Sequence, residues 1–297
     1  MSTGIRIAVF ALPLLLVALW GALHTPEQAE TGDIALASLP PLPGWAESDL
    51  PDFSAYQDTD AKKDAFFSFL YPRILLANAR ILIQRQHLLN LAEKETLSEE
   101  DLNWLKQQSE RLRVPAELGS TAMFEMLTRR LDVIPPSLIM AQAANESAWG
   151  TSRFARKGNN LFGQWCFSEG CGLVPNSRPD GASHEVASFT SPYHSIRSYI
   201  QNLNRHQTYL ALRNTRELFR QDNEPLSGPA LAQGLIGYSE RGAEYVKEIR
   251  SMIQFNNLAY YDQQYRERVL DTSDDTTMLD LVTAEEQVLL PQRRGEG

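Results

Sequence analysis

The sequence predicts an α+β fold that is mostly helical, with a small β-hairpin and a helical hairpin ahead of the main domain. Three observations carry this. Apolar residues recur at helical spacing from Asp60 to about Leu112 and again from Thr121 to Gly150. Between 164 and 190 the pattern shortens to the alternation Glu185-Val-Ala-Ser-Phe189 beyond a Pro179-Asp180-Gly181 turn signal. Helical spacing then returns with Ile196, Tyr199, Ile200 and Leu203.

The N-terminus opens with Arg6 and an uncharged apolar run, Ile7 to Leu23. Its length lies between a signal-peptide core and a spanning helix, and no good cleavage site follows it. Residues 1–23 are therefore read as a membrane anchor, with a removed signal as the alternative. Pro26, Pro40, Pro41, Pro43 and Pro51 interrupt any periodicity in 24–58, which reads as a linker. Residues 59–114 form the helical hairpin, broken near Ser98-Glu-Glu-Asp101, which has the form of an N-cap and an acidic first turn. Arg73, Arg80 and Arg85 read as its solvated face. After about Asp262 the chain is polar, and 263–297 reads as a mobile tail.

Charge narrows the function. The 37 acidic residues against 28 basic ones give a net charge of −9 and a pI near 5.2. This argues against nucleic-acid binding and against non-specific capture of anionic polymers. A polysaccharide would have to be held by a shaped cleft.

The chain is organised around Pro135–Gly163, PPSLIMAQAANESAWGTSRFARKGNNLFG. Pro136 suits a first helical turn, and Gly150 a stop. Ile139, Gln142, Ala143 and Glu146 share one face, so Glu146 points inward. Partial desolvation raises the pKa of a carboxyl group and keeps it protonated, as a general acid requires. Trp149 offers an apolar wall or a platform for a sugar ring. Cys166 and Cys171 are the only cysteines. In an exported chain such a pair reads as a disulfide, with two buried thiols as the alternative. No set of Cys and His completes a zinc site, and no cofactor motif is present.

The run Ala-Gln-Ala-Ala-Asn-Glu-Ser-Ala-Trp-Gly followed by Asn159-Asn160-Leu161-Phe162-Gly163 resembles the signature of bacterial β-N-acetylglucosaminidases of glycoside hydrolase family 73, and the whole chain resembles their Bax-type, membrane-associated members. The resemblance covers about 115–262 and implies a lysozyme-like domain acting on the glycan strands of peptidoglycan. It implies Glu146 as the catalytic acid and Tyr238 as the active-site tyrosine. Trp149, Asn160, Phe162 and Tyr245 are assigned to the substrate-binding surroundings, Tyr245 as the structural tyrosine of the last helix. Most glycosidases need a second carboxylate. Glu185 is ranked first for it, then Glu169 and Asp180; failing these, the substrate's own acetamido oxygen would attack. The resemblance also places the protein in the periplasm, tethered by residues 6–23 or exported after cleavage, with an unidentified protein regulator. A transglycosylase or muramidase, or a non-catalytic wall-binding scaffold, remains an alternative.

Overall fold

In the computed structural model, residues 33–176, 178, 181, 183–269 and 275–291 are described. The apolar run Ile7–Leu23 and Asp180 lie outside them. Helix α1 (Thr59–Ala92) is the axis of the molecule. It begins at Asp58, whose carboxylate accepts from the Ala61 N–H, and is buried almost all round from Phe66 to Gln84. It is long and apolar enough to cross a membrane, yet most of it lies inside the fold, so it is a core helix. Helix α2 (Glu99–Leu112) starts with a complete capping box between Ser98 and Asp101. Helix α3 (Thr121–Arg130) follows, and then α4 (Pro136–Ser147), which carries the signature.

A short helix α5 (Arg153–Gly158) leads into three brief strands, β1 (Trp165–Cys166), β2 (Gly172–Leu173) and β3 (Glu185–Ala187). They form an antiparallel sheet in the order β1-β3-β2. Cys166 faces Glu185, and Gly172 faces Ala187. No side chain fits at Gly172, because a Cβ would lie 2.0 Å from the Val186 carbonyl oxygen. Helices α6 (Pro192–Arg205), α7 (Leu210–Gln221), α8 (Gly228–Leu231), α9 (Ala243–Phe255) and α10 (Ala259–Val269) complete the main body. The whole is the mostly helical α+β architecture expected, and one continuous apolar core runs through α1, α4, α6 and α9.

Three expectations are corrected here. The solvated arginine face is wrong. Arg73 and Arg80 are buried and Arg85 half-buried. Arg73 donates to the Trp45 carbonyl at 3.0 Å, to Ser48 Oγ at 2.6 Å and to Glu286 at 2.6 Å. Arg80 pairs with Asp33 at 2.5 Å, and Arg197 meets the same carboxylate. Residues 33–58, read as linker, are therefore packed chain, with Ile34, Ala46 and Phe53 buried. The described part of the tail is not loose either. Helices α11 (Asp275–Thr283) and α12 (Glu286–Leu289) bury Val282 and Leu289, and Trp45 Nε1 donates to the Ala284 carbonyl at 2.9 Å. A single helix thus gathers segments far apart in sequence through guanidinium groups. No periodicity within either segment could announce this.

Candidate active site

Helix α4 has no side-chain cap of its own, because Pro135 and Pro136 open it. The cap comes from α10. Asp262 accepts from the Ser137 N–H at 2.8 Å, from Ser137 Oγ at 2.6 Å and from the Gly228 N–H at 3.2 Å. A carboxylate at a helix N-terminus is favoured by the helix dipole, but here burial outweighs the three donors and pushes Asp262 up to about 6. At the other end, Ser147 Oγ donates to the Ala143 carbonyl and accepts from the Gly150 N–H. The chain then passes through three consecutive left-handed residues, Ala148, Trp149 and Gly150. Gly150 is needed there, since a Cβ would come within 2.6 Å of the Phe53 ring.

Glu146 sits one residue from the end of α4, half-buried. Tyr245 of α9 donates its hydroxyl to Glu146 Oε1 at 2.8 Å. The same hydroxyl accepts from Gln142 Nε2 at 2.8 Å, and Gln142 Oε1 accepts from Tyr199 of α6. Burial is the largest influence on Glu146 and raises its pKa. Hydrogen bonds from Tyr245 and Asn145 pull the other way, Glu248 adds to the rise and Arg241 opposes it. The balance stays above the ordinary glutamate value. Burial also holds the phenols of Tyr199, Tyr238 and Tyr245 far above theirs, so all three stay protonated and act as donors. The result is a carboxyl group poised to give a proton, with a fixed donor ready to steady the carboxylate left behind.

The other expected residues take different places. The Tyr238 hydroxyl is directed to the signature loop rather than to Glu146. It donates to the Phe162 carbonyl at 2.9 Å, and the Tyr238 ring lies parallel to Tyr245 with centroids 5.4 Å apart. Tyr245, read as structural, is the tyrosine that contacts the acid. Asn160 is buried and ties the signature loop to the sheet. Its Nδ2 donates to the Gln164 and Ala187 carbonyls, and its Oδ1 accepts from the Phe162 and Gln164 N–H groups. Phe162 is buried and stacked on Tyr199 at 4.0 Å. Trp149 packs edge-on against Phe66 and Phe67 and lies 5.5 Å from the Lys63 ammonium.

Glu185, ranked first as the second carboxylate, accepts from the Gly170 N–H at 3.1 Å and the Gly172 N–H at 2.8 Å. Those bonds hold it below the usual carboxylate range. Cys166 and Cys171 are joined in a disulfide that closes the same loop. Glu185 lies within 4.8 Å of both sulfurs, which are bonded to each other and so offer no thiolate to a metal. Glu169 is exposed. Sequence reasoning overlooked Trp165, which is 59% exposed on β1 and stacked on His184 at 4.4 Å. A cavity of about 500 Å³ among Arg85, Phe124, Asp132 and Arg220 does not include Glu146. Its floor is a buried ion cluster in which Asp132 meets Arg220 at 2.8 Å and Arg216 at 3.6 Å.

The family model described as mannosyl-glycoprotein endo-β-N-acetylglucosaminidase matches residues 121–273, from the start of α3 past the end of α10. The chain belongs to this glucosaminidase family. It is a glycosidase by that membership, and the match contains Glu146, Gln142, Tyr199, Tyr238 and Tyr245. A curated relative, Protein bax of Escherichia coli strain K12, is 33% identical over 211 residues, covering 70% of this chain and 75% of that protein. No solved structure matches the chain.

Proposed function

We propose that the protein is a peptidoglycan hydrolase that cleaves the β-1,4 bond following N-acetylglucosamine, with Glu146 as general acid. The observation that carries this is the Glu146 carboxyl group, half-buried and held by Tyr245 inside a glucosaminidase family domain. In the reaction, Glu146 gives its proton to the glycosidic oxygen as the bond to the anomeric carbon breaks. The Tyr245 hydroxyl then stabilises the ionised Glu146. The Tyr238 ring, fixed by the Phe162 carbonyl, forms the wall beside them and is assigned a substrate contact. On the sheet closed by the disulfide, exposed Trp165 offers a stacking surface to a sugar. A substrate in the cell wall puts the domain outside the cytoplasm, with the apolar run Ile7–Leu23 as its membrane tether or as a signal removed on export.

The test is product analysis on purified peptidoglycan, comparing the full-length protein with Glu146→Gln. New reducing N-acetylglucosamine ends that vanish in the variant are expected. Anhydro-muramic ends would move the chain to transglycosylase chemistry, and reducing muramic ends to a muramidase. No release from folded protein would overturn the enzyme reading.

A further inference from the structure

A cationic centre lies at the opposite end of α4 from Glu146. Asp132 comes four residues before α4 begins at Pro136, and Glu146 is ten residues further along, about 15 Å by the rise of a helix. Beside Asp132 opens the cavity of about 500 Å³, whose lining includes Arg85, Phe124, Met126, Arg216 and Arg220. A space of that size suits a small organic molecule better than a bare ion.

Three guanidinium groups meet one carboxylate there. Arg220 donates to both oxygens of Asp132, at 2.8 and 3.2 Å. Arg216 lies 3.6 Å and Arg85 3.9 Å from Asp132 Oδ2. Backbone carbonyls accept further N–H groups of Arg85 and Arg216, but they are neutral and leave the charge uncancelled. The side chains of Arg85, Arg216 and Arg220 are only 17%, 1% and 30% exposed. The surplus is felt locally. Burial pushes Arg216 down to about 10; Asp132 opposes this, and Arg85 and Arg220 add to the fall. Two other acids line the cavity. Glu217 is paired with Arg129 at 2.7 Å, and Glu125 is exposed to water. A surplus of charge so poorly hydrated is costly unless an opposite charge meets it.

The arginines also have donors to spare. Arg220 Nη1 and Arg85 Nε and Nη2 take no partner among the described residues, although both side chains line the cavity. Planar guanidinium edges match the oxygens of a carboxylate or phosphate. Phe124 and Met126 add an apolar wall, and Met126 is 39% exposed. We propose that this cavity binds a small organic oxyanion, with a carboxylate or phosphate head on Arg85 and Arg220 and an apolar body against Phe124 and Met126. The chain carries a net charge of −9 and repels anions in general, so capture is local to this cavity. Nothing in the site depends on the chemistry at Glu146.

The experiment is a calorimetric titration of the full-length protein at low salt with phenyl phosphate, benzoate, inorganic phosphate and benzyl alcohol. Phenyl phosphate or benzoate is expected to bind at one site with a Kd of about 1 mM or tighter, and the tighter of the two names the head group. Inorganic phosphate lacks the apolar body and benzyl alcohol lacks the charge, so each should bind about tenfold more weakly or less. Arg220→Gln removes a free guanidinium edge and should weaken binding about tenfold or more. Met126→Glu sets a like charge against the bound head group and should weaken it to the same extent. Its exposed position leaves the core intact, so it decides the matter if Arg220→Gln melts early. No binding of either aromatic anion overturns the site. So does equal binding of inorganic phosphate or benzyl alcohol, or binding that is unchanged in Met126→Glu.

Discussion

The Tyr245 hydroxyl lies 2.8 Å from Glu146 Oε1 and is itself fed by Gln142 from the preceding turn of the same helix as Glu146. The acid is thus held from α9 and braced from α4. Tyr245 donates to the ionised form of Glu146 and lowers its proton affinity, against the larger influence of burial. Tyr245→Phe removes that donor. We predict that the alkaline limb of the pH–rate profile moves to higher pH, because Glu146 then keeps its proton further. We also predict that kcat falls by about tenfold to a hundredfold, because the carboxylate formed in the transition state loses its partner. Steady-state rates between pH 4 and 9 check both, with thermal melting to confirm the fold.

Asp262 caps α4 from a helix 125 residues away in sequence. Its pKa lies near 6 in the folded protein, above its unfolded value. A carboxyl group raised on folding stabilises most below the unfolded value, and that contribution is lost as pH rises from about 4 to 6. Asp262→Asn abolishes this slope, which denaturant midpoints across pH 4–7 will show. Asp262→Ala leaves the donors of Ser137 and Gly228 without a partner and should cost about 2–3 kcal/mol.

Asp33 and Asp132 titrate in the opposite sense. Arginines hold both carboxyls well below the usual range, against the opposing effect of burial. Their contribution is present above the unfolded value near 4 and is lost progressively as pH falls below it. Acid unfolding should therefore begin below about pH 4, and Asp33→Asn should move it toward neutral pH, read by circular dichroism. Limited proteolysis should then cut first within 33–58, the segment that Asp33 straps to Arg80 and Arg197.

The Cys166–Cys171 disulfide closes a loop of sequence separation 5 around the carboxylate of Glu185. On chain-entropy grounds, closing so short a loop is worth about 2 kcal/mol. Reduction is expected to lower the melting temperature by a few degrees, and activity on polymeric glycan should fall more than activity on short fragments. Melting curves and rates with and without reductant test this.

Much of the site was legible in the sequence because it lies within one short run. The inward face of α4, the position of Glu146 and the turn of chain after it all follow from spacing within 28 residues of Pro135. What spacing could not show is which remote side chain arrives at Glu146. Tyr238 and Tyr245 are seven residues apart, and only the path of the loop that joins them decides which hydroxyl reaches α4. Arg73 and Arg80 misled for a related reason. A basic residue every half-dozen positions looks solvated until the acids and carbonyls that meet it, from 33–58 and 286, are in place.

The central claim is that burial holds the Glu146 carboxyl above the ordinary glutamate value in the folded protein, against the pull of Tyr245. The direct measurement is a pH titration of its side-chain carboxyl carbon by 13C NMR in the intact protein, assigned by the signal missing from Glu146→Gln. A midpoint above the ordinary glutamate value, moving further up in Tyr245→Phe, is the result predicted. A midpoint at or below that value, insensitive to Tyr245, would contradict the account.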